Sequence, residues 1–256
     1  MRFRLFEFED LSGFPNAVRQ GMLDYLSWFL RRTRFYEPVL PLLRAHAASS
    51  PKPIVDLCSG GGGPWPGLWE QLPRRGDAPV AWLTDRFPNT SAYEELATRS
   101  SGALKGYDAS VDATSVPATL DGPRTLFSAF HHFDSDTALR VMRDAQARRT
   151  PLLVVDGGDR HIGVMLGIAV AHPVLLVLCS PFLRPFRWDR LLFTYLVPLI
   201  PLCTVWDGIV SILHLYPARE LRSFAVACNA PDYSWTVHTL RNRTGFRIHV
   251  LHGAPV

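Results

Sequence analysis

The chain has 256 residues, 47% of them hydrophobic, with 27 basic and 23 acidic side chains and a net charge of +4. That length suits one large α/β domain, or one domain with an insertion. The bases are nearly all arginine and are scattered without aromatic interleaving, which argues against a nucleic-acid surface. The four cysteines, Cys58, Cys179, Cys203 and Cys228, form no Cys-x-x-Cys pair, which argues against a disulfide framework or a zinc ribbon and points to free thiols in a reducing, cytoplasmic setting.

In chain order, Met1 to Glu7 carry an early acid and no apolar run, so no secretory signal is expected. Residues 15–48 are predicted helical from the spacing of Leu23, Leu26, Phe29 and Leu30, with Pro38 and Pro41 breaking the region into two helices. Arg31, Arg32 and Arg34 form either a solvated helix end or a contact for anionic lipid headgroups. A Ser/Pro linker at 49–53 leads into a short apolar strand, Ile54-Val55-Asp56. Further strands are predicted at 80–85, 104–109, 125–130 and 151–156, with helices at 91–100 and 137–148 between them. Such alternation implies parallel strands with right-handed crossovers. Two alternating strands at 233–240 and 247–252 flank Thr244-Gly245 and predict a hairpin. Residues 161–216 exceed the length of one crossover and are strongly apolar. Pro173, Pro181, Pro185, Pro198 and Pro201 are expected to chop them into short pieces. A hydrophobic lid or homodimer face is favoured for this segment, then attachment to a membrane surface, then a true membrane span.

The most informative run is Ile54-Val55-Asp56-Leu57-Cys58-Ser59-Gly60-Gly61-Gly62-Gly63, a strand ending in an acid and then a glycine turn that lets backbone approach a ligand. A dinucleotide fingerprint fails because Trp65 and Pro66 occupy the places of its third glycine. A phosphate loop fails because Leu68 replaces the lysine after Gly67. A glycine turn without a ligand stays open as the plain alternative. The run resembles the first motif of class I S-adenosylmethionine-dependent methyltransferases, with Asp56, Gly60 and Gly62 matching and Cys58 where the first glycine is usual. The wider layout, including Phe8-Glu9-Asp10, Phe-His-His-Phe and Trp-Asp-Gly, is similar to a bacterial subgroup of that family.

The resemblance implies a Rossmann-like, doubly wound α/β fold. Its seven-stranded sheet would be mostly parallel and closed by an antiparallel C-terminal hairpin. The parts would be an N-terminal helical cap (1–50), a cofactor-binding core (51–160), an apolar helical insertion between strands 5 and 6 (161–216), and a last helix and strands completing the core (217–256). It further implies S-adenosyl-L-methionine as cofactor. The cofactor residues would be Asp56, Cys58, Ser59, Gly60, Gly61, Gly62, Asp85, Arg86, Asp112, Ala113, Ser128 and Phe130, with Asp85 on the ribose hydroxyls and the turn at Asp112 on the adenine. The extra loop before strand 2 is assigned to Pro73-Arg74-Arg75-Gly76-Asp77.

By the same resemblance, Phe130-His131-His132-Phe133-Asp134 ends the strand beside the transferred methyl group. One imidazole can serve as general base, since its ordinary pKa lies near neutrality. Neighbours on a strand face opposite ways, so only one of the two histidines is expected in the site. No His-x-x-x-His or cysteine cluster accompanies them, so no metal site is expected from spacing. Asp156, in Asp156-Gly157-Gly158-Asp159-Arg160-His161, orients a substrate or a histidine, or caps a helix. Asp207 lies in apolar sequence, so it is either a pocket residue or half of a buried ion pair with an arginine. No Gly-x-Ser-x-Gly elbow supports a serine hydrolase. The expectation is in-line methyl transfer to a small hydrophobic acceptor. A membrane-associated, non-catalytic module of the same fold and another α/β nucleotide enzyme are the alternatives.

Overall fold

The computed structural model describes residues 5–74, 76–158 and 160–256. Met1 to Arg4, Arg75 and Asp159, which fall in runs quoted above, lie outside the described residues. Seven strands form one sheet: β1 (Ile54–Asp56), β2 (Ala81–Leu83), β3 (Leu104–Gly106), β4 (Arg124–Phe127), β5 (Leu152–Gly157), β6 (Tyr233–Arg241) and β7 (Arg247–Pro255). The order is β3-β2-β1-β4-β5-β7-β6. The first five strands are parallel, and β7 runs antiparallel to both β5 and β6. The expected hairpin is present. Asn242 seeds its turn by accepting from the amides of Thr244 and Phe246, and Gly245 takes a left-handed φ of +87°.

Period-two alternation sorts the strands between two cores. Leu153 and Val155 face one, with Leu43, Trp65 and Leu96. Leu152 and Val154 face the other, with Val141, Met142 and Phe224. The interior strand β5 is therefore apolar from Leu152 to Val155, as a strand covered on both faces must be. Helices α4 (Thr90–Arg99) and α5 (Ser135–Ala147) start at polar caps: the side chains of Asn89 and Asp134 accept the amides of Ala92 and Thr137.

The two expected N-terminal helices form, but the prolines act differently in detail from what was expected, here and in the insertion. Helix α1 (Asn16–Arg32) ends before either proline. Pro38 and Pro41 instead sit in the first turns of a 3-10 segment (Glu37–Val39) and of α2 (Leu40–Ala48), where a missing N–H costs least. In the insertion, α6 (Ile162–Cys179) runs straight through Pro173. That residue removes only the donor to Ala169. Pro181, Pro198 and Pro201 lie at element starts, and Pro185 lies in the irregular link before Trp188. A broken helix of α7 (Trp188–Leu191) and a π turn (Leu192–Leu196) then leads to α8 (Leu199–His214), which starts after Pro198 and keeps Pro201 in its first turn.

The insertion packs on the N-terminal helix. Val18, Met22 and Tyr25 of α1 meet Leu176 and Cys179 of α6 and Ile200 and Cys203 of α8 in a third core. Arg190, fully buried, pairs with Asp24 at 2.7 Å and donates to the carbonyls of Leu183 and Pro185. The other side of α6 is exposed. Ile162, Leu166, Val170, Val174 and Leu178, four apart, form an uncovered apolar ridge. The run Ile162–Phe182 is long and apolar enough to cross a bilayer by length and composition.

Candidate functional site

The glycine turn is held from beneath by Asp56. Its two oxygens each accept a hydroxyl at 2.6 Å, from Ser59 and Thr125. Burial raises its pKa to about 6 although both hydrogen bonds favour the charged form. The carboxylate is only 2% exposed, so Asp56 braces the turn instead of reaching a ligand. The backbone then takes left-handed φ values at Cys58 (+57°), Gly60 (+53°), Gly62 (+97°) and Gly63 (+46°). A side chain at 58 bears strain that a glycine would not. A Cβ at Gly62 would stand 2.3 Å from Leu96, and one at Gly61 would touch Leu23. At Gly60 and Gly63 it would meet nothing within 4 Å. The open approach is therefore over Gly60 and Gly63.

Asp85, two residues beyond β2, accepts the amides of Gly60 (2.9 Å) and Phe87 (2.9 Å), and each oxygen keeps a lone pair. The next turn is stitched to it: Val111 N donates to Asp85 O, and Ser110 Oγ to Arg86 O. Asp112 is exposed, its pKa lowered by hydrogen bonds from the side chain and amide of Thr114. Burial pushes the Cys58 thiol up, and the nearby charges of Asp85, Asp56 and Asp112 push it further. The sheet thus gathers Cys58, Ser59, Gly60, Asp85, Arg86 and Asp112 at one edge. A Cβ-free cradle beside two accessible carboxylates fits a ligand with a ribose and a small cationic end. Ala113 and Phe130 do not belong to that edge. Both are buried in the core, Phe130 against Tyr216 and Phe224.

Strand β4 stops at Phe127, three residues earlier than expected. Ser128 takes φ +51° and turns the chain into a 3-10 turn at Phe130–His132. Successive residues of such a turn lie about 120° apart, not 180°. Both histidines consequently line one cavity, with ring centroids 4.5 Å apart, which corrects the expectation of opposite faces. The cavity, about 200 Å³, has mostly apolar walls, including Phe29, Phe35, Val164 and Ile168, and also reaches Ser128. The Ser128 hydroxyl pairs with the buried Tyr36 hydroxyl.

Asp156, next to last in β5, accepts a hydrogen bond from His131 Nδ1 at 3.1 Å, so of its alternatives it orients a histidine. The cap of α6 is His161 instead. Among the described residues, Asp207 forms no ion pair with an arginine. It lies in the cavity wall, but its oxygens accept the backbone amides of Phe8 (2.7 Å) and Glu9 (3.1 Å), and burial raises its pKa to about 6. It thereby ties the N-terminal segment across α8, where Trp206 Nε1 also donates to Phe6 O.

That strap delivers three acids which no spacing rule connects to the histidines. His132 Nδ1 is 3.0 Å from Asp10, and its Nε2 is 3.9 Å from Glu7 and 3.8 Å from Glu9. Burial would lower its pKa, but the hydrogen bond to Asp10 and the charges of Glu7, Asp10 and Glu9 push it up to about 10. Glu7 also accepts from Ser211 Oγ at 2.6 Å and meets His214 Nδ1 at 3.1 Å.

No family model and no curated protein matches the chain. Solved structures do. One is an O-methyltransferase from neocarzinostatin biosynthesis, in complex with S-adenosylmethionine and 2-hydroxy-5-methyl naphthoic acid, at TM-score 0.53 and 15% identity. The match covers 94% of this chain and 59% of that one. A second is a SAM-dependent methyltransferase from Aquifex aeolicus, at TM-score 0.50 and 10% identity, covering 93% and 97% of the two chains. A third is the small RNA methyltransferase HEN1, at TM-score 0.50 and 12% identity, of which the match spans 25%. With the sheet order and the cradle at its edge, these likenesses show that the chain has the Rossmann-like fold of class I S-adenosylmethionine-dependent methyltransferases.

Proposed function

We propose that the protein is an S-adenosylmethionine-dependent methyltransferase acting on a small apolar acceptor. The observation that carries this reading is a pair of neighbouring features. A side-chain-free cradle lies over Gly60 and Gly63, and an apolar cavity with a polar corner at His131 and His132 lies at the ends of the adjacent strands. Gly60, Cys58, Asp85 and Asp112 are the residues that would hold the cofactor, which when bound supplies an already activated methyl group. The protein's share is then mainly positioning. Aromatic and aliphatic walls hold the acceptor and exclude water, and the polar corner receives its heteroatom. The insertion contributes by closing the cavity, since Val164, Ile168, Thr204 and Ile212 line it. Calorimetry tests the reading: S-adenosylhomocysteine should bind, and preference for a dinucleotide would refute it.

A second feature supports delivery of the acceptor from a lipid surface. The ridge of α6 is exposed, as are Trp188 and Trp206, and elsewhere on the surface Arg31, Arg99, Arg184 and Arg187 line a cavity of about 390 Å³ together with Asp24 and Glu95. An exposed apolar helix ridge, with exposed tryptophans and arginines on the same molecule, suits the interface of an anionic membrane. On this reading the protein sediments with anionic vesicles and is released by alkaline carbonate. Retention after that wash would mean a spanning helix and would overturn surface attachment.

A further inference from the structure

We propose that Glu7, His131 and His132 form a binding site for one divalent transition-metal ion in the wall of the apolar cavity. The three residues can each offer one donor atom such that all three atoms lie within 4.8 Å of one another. The geometry selects the atoms. His131 Nδ1 is engaged by Asp156 and His132 Nδ1 by Asp10, so each ring presents Nε2. His131 is only 6% exposed, and among the described residues its Nε2 has no hydrogen-bond partner. A buried imidazole nitrogen without a partner calls for an explanation, because such atoms are nearly always satisfied.

Each donor is held from behind. Asp156 and Asp10 fix the two rings, and Ser211 and His214 fix the Glu7 carboxylate. Metal sites orient their ligands through just such outer partners. The surroundings also carry excess negative charge. Glu7, Glu9, Asp10 and Asp156 converge here, and among the described residues their ion-pair partners are imidazoles. A divalent ion bound here would balance part of this charge.

Two imidazoles and a carboxylate suit zinc, manganese, iron or cobalt, whereas magnesium and calcium favour all-oxygen sites. Donors around such an ion, at about 2.1 Å, stand roughly 3–3.5 Å apart. The observed 3.9 Å between His132 Nε2 and Glu7 Oε2 is closed by a small side-chain rotation. Glu9, 3.8 Å from the same nitrogen, is placed as a fourth donor.

The inference goes beyond methyl transfer and is tested without cofactor or acceptor. The full chain, treated with a chelator, is titrated with Zn²⁺ by calorimetry and with Co²⁺ by visible spectroscopy. One ion per chain is expected. The cobalt spectrum should lack a thiolate charge-transfer band, which separates this site from the four cysteines. Mg²⁺ should bind about 100-fold or more weakly. Glu7→Gln should weaken Zn²⁺ binding by about 100-fold, and Asp156→Asn by about 10–100-fold. His132→Gln supplies the same reading if the Glu7 variant does not fold. No stoichiometric binding to the wild type, a thiolate band, equally tight Mg²⁺, or wild-type affinity in a folded Glu7→Gln or His132→Gln variant would overturn the proposal. Failure here leaves S-adenosylhomocysteine binding untouched, and the reverse holds as well.

Discussion

Gly60 and Gly62 lie two residues apart in one turn, yet substitution should damage different things. At Gly60 a valine Cβ enters open space, so its cost to the fold is the left-handed φ of +53° alone. That is roughly 1–2 kcal/mol, or a fall in Tm of about 2–8 °C for a chain of this size. The same Cβ fills the cradle, and S-adenosylhomocysteine affinity should drop about 100-fold or more, roughly 2.7 kcal/mol. At Gly62 the strain is joined by a clash at 2.3 Å with Leu96 in a buried place. Overpacking adds roughly 1–3 kcal/mol, giving roughly 2–5 kcal/mol in all and a Tm lower by about 5–20 °C. Calorimetric titration and thermal scanning of Gly60→Val and Gly62→Val read both quantities. Normal affinity in Gly60→Val, or a larger loss of stability there than in Gly62→Val, would refute the assignment of the open side of the turn to a ligand.

Alanine at His131 should lower turnover by about 10²–10⁴-fold while leaving S-adenosylhomocysteine affinity nearly unchanged; full activity would remove this histidine from the reaction. A separate pH effect should come from His46. It is buried, donates Nε2–H to the Arg124 carbonyl at 2.8 Å, and has its pKa lowered to about 3, first by burial and then by His252. The unfolded chain takes up a proton below pH 6.5 and the folded one does not, so stability falls by about 1.4 kcal/mol per unit between pH 6.5 and 3. Asp56, raised to about 6, works the other way between pH 6 and 3.8, because there the folded state holds the extra proton. The contribution of His46 is therefore read as the difference in slope between wild type and His46→Gln, and parallel stability curves would exclude it.

What was legible in the sequence was local. The apolar strand, its terminal acid and the glycine run lie within ten residues, and the chemistry of such a turn follows from adjacent residue types. The parallel run of the first five strands followed from their alternation with helices. The errors lie where backbone strain or tertiary packing overrode a local rule. The left-handed Ser128 ended β4 early and brought both histidines to one cavity. Pro173 stayed inside α6 despite the lost hydrogen bond. Asp56 and Phe130 fit a motif by position, but burial turned one into a brace and the other into core.

The acids around His132 were illegible for a different reason. Glu7 and His132 are 125 positions apart, and no periodicity spans that distance. What joins them is the insertion, where Trp206, Asp207, Ser211 and His214 all bond the strap. Asp207 is the only acid in α8, and a carboxylate in so apolar a helix must find partners. It finds the amides of Phe8 and Glu9, and this fixes Glu7, Glu9 and Asp10 against the 3-10 turn. Asp207 therefore shapes the polar corner without a side-chain bond to either histidine. The strap and the insertion form one unit over the sheet edge: the insertion supplies the apolar wall, and the strap it anchors supplies the charge.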